Sequence, residues 1–585
     1  MKKCILKVMI AAMFLVATET SCRKENSKSY LELSSYQLSF GQEGGYQFVT
    51  IKASGDVSAI SNSTWCATEN LSPLKIIVSQ NTEADREAEV TVSCGGAEKK
   101  IIVSQNAMTP SLSVKETHIV VHENESRDFT LEITANISVV FVLPEWVRKK
   151  DNNIPAPGKN TYSFQADAMP KDMKTRTGNL TVKSAYAGFD KSIVVPVTQN
   201  NETCIPIMAW QGIPAAESSV GRFVELRGAG ITHHLRHYNT LDDCAAAMDM
   251  AAKAGVKMLV NCPELKTDPQ KIVNRFMNHP AIGGYCVHDE PGRSEFPSLG
   301  VLVRKIQAID NKNLCYINLF PNAAGAQYAS KNWLETDTYL EYIQLFIKEV
   351  PVPILSFDHY PVRLNATNER VLSEIWYENL EEFSDEARKA GKPFWAFALT
   401  TAHPNGTITY PVPTLAELRL QVYSNLAYGA QGIQYFTYWG GSEPWRYGPI
   451  NYYTKEKTEI YDYIKEINTE IKNLSFVFMN AKVQSIAHTG AIIPMGTQRL
   501  YKLPDAIKTF ETEGVGAVVS VLQKDGKSYL VVVNRDFKND MKVKIEGDPD
   551  LQRILKDGSI VPAPTNISTI TVDPGDVLIY CWKNQ

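Results

Sequence analysis

From residue 205 to about 476, runs that read as strands and runs that read as helices alternate eight times in this 585-residue chain. That order constrains the fold more than any other feature, because parallel strands need a long crossover between them and a helix usually supplies it. The strand-like runs are 206–210, 231–238, 256–261, 281–287, 314–319, 353–357, 393–399 and 432–439. Amphipathic runs such as 241–254, 339–348, 373–390 and 415–428 lie between them, and 455–474 closes the set. The expectation is a (β/α)8 barrel over 205–476, with side chains filling its interior and a site at the C-terminal ends of the strands.

The flanks read differently. Two stretches before the barrel repeat one another. Ile101-Ile102-Val103-Ser104-Gln105-Asn106 matches Val194-Val195-Pro196-Val197-Thr198-Gln199-Asn200, Arg86 to Val92 matches Arg176 to Val182, and Trp65 matches Trp146. Short alternating runs separated by Ser, Asn, Gly and Pro predict two small β-sandwiches, over 29–107 and 108–201. The stretch 478–585 is β-rich again and predicts a C-terminal β-sandwich. The fold class is therefore multidomain, with two N-terminal β-sandwiches, a central TIM barrel and a C-terminal β-sandwich.

The repeated segment, with its terminal Gln-Asn strand and single Trp, resembles the BACON domains of secreted Bacteroidetes carbohydrate-active proteins. The resemblance implies carbohydrate binding, but each copy has few aromatics. Trp65 and Trp146 are read as core residues and the pair of domains as a spacer. Residues 1–22 read as a signal peptide: Lys2 and Lys3, an apolar run over 5–17 broken by Lys7, then Thr20-Ser21-Cys22. This resembles a bacterial lipoprotein signal with Cys22 lipidated, which implies a membrane anchor at the cell envelope, on the outer membrane. A plainly secreted protein or an uncleaved anchor are the alternatives. Cys66 and Cys94 are either a disulfide or two half-buried thiols. A net charge of −4 without long runs of one sign leaves no footprint for nucleic acid.

The fourth barrel strand ends in His288-Asp289-Glu290-Pro291. It resembles the Asn-Glu-Pro end of that strand in clan A glycoside hydrolases, whose Glu is the acid/base, and the role carries over to Glu290. Asp289 either joins the site or, with Glu290, caps the helix beginning near Ser294. Clan A enzymes place a nucleophilic Glu at the end of the seventh strand, but here the chain reads Leu399-Thr400-Thr401-Ala402-His403, with no carboxylate. The second carboxylate is therefore sought in the sixth strand, at Asp358 of Phe357-Asp358-His359-Tyr360, with a loop-fixing turn as its alternative role. Pairing the fourth and sixth strands is similar to barrel glycosidases of the α-galactosidase type. The Asp-x-Tyr ending faintly resembles family 18 chitinases, which use the substrate's own acetamido group.

Further candidates for holding substrate are Glu264, Asn318, His359, Tyr360, His403 and Trp439, the last as the ring under the cleaved sugar. His233, His234 and His288 also fall near strand ends, and each is as readily a structural residue. No His or Cys spacing forms a metal signature, so neither metal nor cofactor is expected. The resemblances imply a glycoside hydrolase that cleaves a polysaccharide or oligosaccharide by two-carboxylate chemistry and works beside other polysaccharide-utilisation proteins. The alternative is a surface glycan-binding protein whose barrel has lost its nucleophile.

Overall fold

The computed structural model describes residues 29–122, 127–150, 158–170, 173, 175–200 and 204–584. Residues 1–22, read from sequence as a signal peptide ending at Cys22, lie outside them. Compact units span Met1–Ser111 and Leu112–Gln585.

The first unit is a sheet domain. Its four-stranded sheet contains Arg86–Cys94 and Ala97–Gln105 paired antiparallel, with Gln37–Phe40 added parallel to the latter. Alternation along Arg86–Cys94 sends Ala88, Val90 and Val92 into a core with Ile76, Ile101 and Val103. Cys66 and Cys94 are buried free thiols. In the second sheet domain the plan recurs: Thr175–Ser184 pairs with Ser192–Asn200, which takes Ile119–His122 as a parallel neighbour.

The repeat extends to side chains. Arg86 donates through Nε to Gln105 Oε1 at 2.9 Å and lies 4.4 Å from the centre of the Trp65 ring. Arg176 does the same to Gln199 at 2.9 Å and Trp146 at 4.4 Å. Both Trp rings are half-buried, with a guanidinium over one face of each, and Trp65 packs against the core from its edge.

The barrel comprises strands β1 (Ile207–Trp210), β2 (His233–Leu235), β3 (Lys257–Val260), β4 (Ile282–Asp289), β5 (Leu314–Asn318), β6 (Leu355–Phe357), β7 (Phe394–Leu399) and β8 (Ile433–Phe436). They form one eight-stranded parallel sheet in the order β5-β4-β3-β2-β1-β8-β7-β6. A parallel bridge between Leu319 and Phe357, just past β5 and at the end of β6, brings the sheet edges together. The crossovers are α1 (Val220–Gly228), α2 (Leu241–Ala254), α3 (Pro269–Phe276), α4 (Phe296–Gln307), α5 (Tyr339–Glu349), α6 (Trp376–Lys389), α7 (Leu415–Ala427) and α8 (Glu459–Asn473). Local chemistry sets their ends: Thr240 caps α2 through the amide of Asp243, and Gly255 ends it with φ +69°, a left-handed turn that glycine takes without strain.

One helix departs from expectation. The amphipathic reading of α7 requires one wet face, yet every residue from Glu417 to Ala427 is buried. Gly575 of the C-terminal domain approaches it so closely that a Cβ there would lie 2.1 Å from the carbonyl oxygen of Ala416. Its polar side chains are paired instead of solvated: Glu417 with Arg370 at 2.6 Å and Arg419 with Glu470 at 2.6 Å. The C-terminal domain holds a six-stranded sheet and a three-stranded sheet. The second sheet domain also touches it, through a Thr117 amide on the Ile560 carbonyl at 2.9 Å.

The segments after β6 and β7 carry elements absent from the expected set. Val362–Leu364, Arg370–Leu372, Ile408–Tyr410 and His403–Asn405 make a four-stranded sheet at the strand ends. Three-residue strands with Pro and Asn between them carry too little periodicity to be read from sequence.

Candidate active site

Neighbouring residues of a regular strand point to opposite faces, yet Asp289 and Glu290 both face Asp358. Two local irregularities allow this. β4 pairs Cys286 with Tyr316 but His288 with Ile317, so Val287 is an extra residue, and such bulges re-aim the side chains after them. Glu290 then takes φ +49°, a left-handed conformation uncommon outside glycine, pinned by its amide on the Asn318 carbonyl at 2.8 Å. Neither acid caps the next helix. Glu295 accepts the Gly292 amide at 3.1 Å, and Glu335 accepts that of Ser294 at 2.8 Å.

Asn318, at the end of β5 and buried, organises the acids. Its Nδ2 donates to Asp358 at 2.7 Å and to Asp289 at 3.2 Å. Its Oδ1 accepts from the Ser356 hydroxyl at 2.9 Å, which fixes the amide's orientation. Behind Ser356 the barrel interior is polar: Gln434 Nε2 donates to Ser356 at 2.8 Å, and Gln434 Oε1 accepts from Tyr316 at 2.6 Å and from the Trp210 indole at 3.2 Å. This relay, which includes no charged group, was not singled out from sequence; Ser356 and Gln434 are buried polar residues in strands otherwise read as apolar.

Three carboxyls in one mouth cannot all ionise cheaply. Glu290 and Asp358 share a carboxyl-to-carboxyl hydrogen bond. Burial first, then the charges of Asp358 and Asp289, hold the Glu290 proton far above the ordinary carboxylate range. Burial raises Asp358 as well, but hydrogen bonds from Asn318, Glu290 and Tyr360 oppose the rise, which makes Asp358 the member of the pair that ionises first. Asp289 is walled in by the barrel mouth while remaining open to the cavity; that crowding and then Asp358 push its pKa up to about 7.

The remaining candidates are scattered. Tyr360 donates to Asp358 and stacks on Phe436 at 5.7 Å. His403 stacks on Trp445 at 3.8 Å and 19°, its Nδ1 donating to the Thr401 carbonyl, so it belongs to an aromatic wall beside β7 and β8. His359 points outward from β6, where its Nδ1 meets Asn379 of α6 at 2.8 Å; strand alternation removes it from the mouth. Trp439 is 1% exposed, lies under the Arg222 guanidinium at 5.1 Å, and cannot offer a face to a sugar. Half-buried Trp445 offers the accessible ring at that end. Glu264 opens the short helix Glu264–Thr267 and does not line the cavity. His234 accepts the Ile213 amide at 2.8 Å, and His288, which lines the cavity beside the acids, binds Glu295 at 2.8 Å. Among the described residues no group of His, Cys, Asp and Glu could hold a metal ion.

Beside the acids a cavity of about 280 Å³ opens at the ends of β1 to β4, lined by Gln211, Arg236, His237, Asn261, Lys266 and Asp289 among others. At the end of β7, where the clan A nucleophile would stand, Thr400 donates to the Thr437 carbonyl at 2.8 Å and Thr401 bonds to the Thr437 hydroxyl at 2.8 Å.

A parallel eight-stranded barrel with an acid cluster at its C-terminal strand ends is the arrangement of this domain, and part of it is similar to a glycoside hydrolase family. Residues 318–474 match the glycoside hydrolase 42 family, described as beta-galactosidase, and residues 55–106 match the BACON family, described as a putative N-terminal binding domain. The former segment begins at Asn318, so it contains Asp358 but not Glu290. Solved structures to which the chain is similar include a putative alpha-galactosidase/melibiase from Bacteroides fragilis, 11% identical, covering 81% of this chain and 98% of that one with a TM-score of 0.36. A Bacteroides ovatus GH5 xyloglucanase in complex with a heptasaccharide is 10% identical, covering 61% and 98% with a TM-score of 0.29. A family 123 glycoside hydrolase from Clostridium perfringens is 10% identical, covering 65% and 93% with a TM-score of 0.27. No curated protein sequence matches the chain.

Proposed function

We propose that the barrel hydrolyses a glycosidic bond in a polysaccharide or oligosaccharide, with Glu290 giving its proton to the leaving oxygen. The observation that carries this reading is the burial of Glu290 against Asp358 at the strand ends, which pushes the Glu290 pKa well above the ordinary carboxylate range. As the proton leaves, the pair gains a second negative charge, and the cation developing on the sugar ring offsets it. The pair thus interacts more strongly with the transition state than with the bound substrate. Asp358 is the second carboxylate: once substrate enters between the two acids, it activates water or attacks the ring. The test compares wild type with Glu290→Gln on a panel of polysaccharides and nitrophenyl glycosides. The expected result is cleavage by wild type and a loss of two orders of magnitude or more in the variant. Undiminished cleavage overturns the assignment, and binding without any cleavage favours a glycan-binding protein.

A second reading follows from the direct contact between the two acids. If that contact persists with substrate bound, neither acid can attack, and the end of β7 supplies only threonines. The nucleophile is then the substrate's own C2 acylamino oxygen, oriented by Asp289. Cleavage of 2-acetamido glycosides alone supports it; equal cleavage of 2-hydroxy glycosides removes it.

Attachment to the cell envelope through lipidated Cys22 belongs to the same proposal and rests on Lys2, Lys3 and the apolar run ahead of Thr20-Ser21-Cys22. Labelled palmitate incorporated by wild type and not by Cys22→Ala supports it, and equal labelling overturns it.

A further inference from the structure

The cavity beside the acids holds positive charge that the protein does not spend on itself. Arg236, at the end of β2, is half-buried, and among the described residues it has no carboxylate partner; its one hydrogen bond is a long contact of Nη1 with the Gly212 carbonyl at 3.4 Å. Lys266 lines the same cavity, is exposed, and is likewise without an acidic partner among the described residues. Between them His237 binds Asn261 Oδ1 through Nδ1 at 3.0 Å, which leaves the Asn261 amide hydrogens directed elsewhere.

We propose that this cavity is a subsite for an anionic sugar, whose carboxylate or sulfate is held by Arg236 and Lys266 while the bond it shares with its neighbour lies at Glu290. The proposal rests on the hydrolase reading and narrows it to an acidic glycan. Three observations support it. The volume of about 280 Å³ suits a single substituted sugar ring rather than a chain of them. A guanidinium presents a planar fork that matches carboxylate and sulfate oxygens, and Lys266 adds a point charge that needs no fixed geometry. The third is the charge balance within the mouth.

The cations do not serve to neutralise the protein's own acids. Asp289, the carboxyl lining the cavity, is raised and not lowered, by its surroundings and by Asp358. Asp358 is satisfied by Asn318, Tyr360 and the Glu290 proton. Burial in turn lowers the pKa of Arg236, and among the described residues no carboxylate pairs with it. An incoming anion supplies the counter-charge in a walled cavity where water screens it poorly.

The test uses the full chain carrying Glu290→Gln, so that binding is read without turnover. It is titrated by NMR with galacturonate, glucuronate and galactose 6-sulfate, each against its neutral parent galactose or glucose, at low and high salt. The anionic members are expected to bind about tenfold tighter than their parents, with the advantage shrinking at high salt. The uronate and sulfate arms tell which anion the site takes. Arg236→Gln should remove most of the preference; because Lys266 is exposed, Lys266→Gln keeps the test readable if the arginine variant fails to fold. Equal binding of anionic and neutral sugars, or no binding of either, overturns the subsite. Cleavage assays separate the two proposals: wild type active on neutral substrates without anion preference sinks the subsite alone, whereas anion preference without cleavage of any substrate sinks the hydrolase reading alone.

Discussion

The two flanks of the barrel mouth are made of opposite materials. Across β4, β5 and β6 stand three carboxyls: the Asn318 side-chain amide ties Asp289 to Asp358, and the Asn318 backbone carbonyl holds the Glu290 backbone. Across β7 and β8 stand rings and hydroxyls: Trp445 on His403, Phe436 on Tyr360, and Thr400 and Thr401 turned into the Thr437 backbone and hydroxyl. The first flank stores a proton at the expense of crowding like charges; the rings and hydroxyls of the second present no carboxyl. Proton transfer is thus confined to one side of the sugar, and the other side can only orient it. An ordinary retaining glycosidase divides the work more evenly, with a carboxylate on each side of the scissile bond.

The sharpest way to break this comparison is Glu290→Gln, which keeps shape and removes the proton. We expect kcat to fall about 10³-fold on substrates with poor leaving groups. Dinitrophenyl glycosides, which need little help from an acid, should suffer far less. An equal loss on both classes would mean that Glu290 holds the site together instead of supplying the proton.

Next comes Asn318→Ala, which unties the acid flank without touching a proton. Asp289 and Asp358 each lose a hydrogen bond that favours their charged forms, and Ser356 loses its acceptor. The expected fall in kcat is about 10²-fold, accompanied by a displaced pH profile. A fall in kcat with the profile unmoved would indicate a merely structural role.

These effects also mark where sequence reasoning reached and where it stopped. The barrel was legible because strand and helix periods alternate over a long stretch, and the strand-end position of Glu290 was legible from His288-Asp289-Glu290-Pro291. Trp439 and His359 were misplaced for a simple reason: position at a strand end does not tell which face a side chain takes. His359 follows the alternation of β6 outward to Asn379, and Trp439 lies beyond the end of β8, under Arg222. The joint aim of Asp289 and Glu290 was out of reach, since it depends on a bulge at Val287 and on φ +49° at Glu290. Nothing in Val287 itself announces a bulge. Asn318 was seen as a residue that recognises hydroxyls; its position between two carboxyls appears only once β4, β5 and β6 are side by side.

The aromatic flank is tested by Trp445→Ala. If that flank only orients substrate, KM should rise about tenfold with kcat little changed, because stacking acts on ground state and transition state alike. A larger fall in kcat than rise in KM would show that the rings take part in the chemistry and would weaken the contrast between the flanks.

The smallest effect, and the finest probe of the acid flank, is expected from Asp289→Asn. The pKa of Asp289 in the fold is raised to about 7 from the ordinary aspartate value near 4, so the folded state binds this proton more tightly than the unfolded chain does. The stabilisation is fully present below about pH 4 and is lost as pH rises through 7. Asparagine cannot ionise, so the variant's Tm should match wild type at pH 4 and exceed it at pH 8. The side chain meets water in the cavity, which screens its charge, and the gain is about 1 kcal/mol, or about 2–4 °C. The same change removes a like charge that helps hold the Glu290 proton. The alkaline limb of kcat/KM should therefore move to lower pH, since Glu290 then loses its proton sooner. A Tm gain that is the same at pH 4 and pH 8, with an unmoved alkaline limb, would mean that Asp289 stands electrically apart from Glu290 and Asp358.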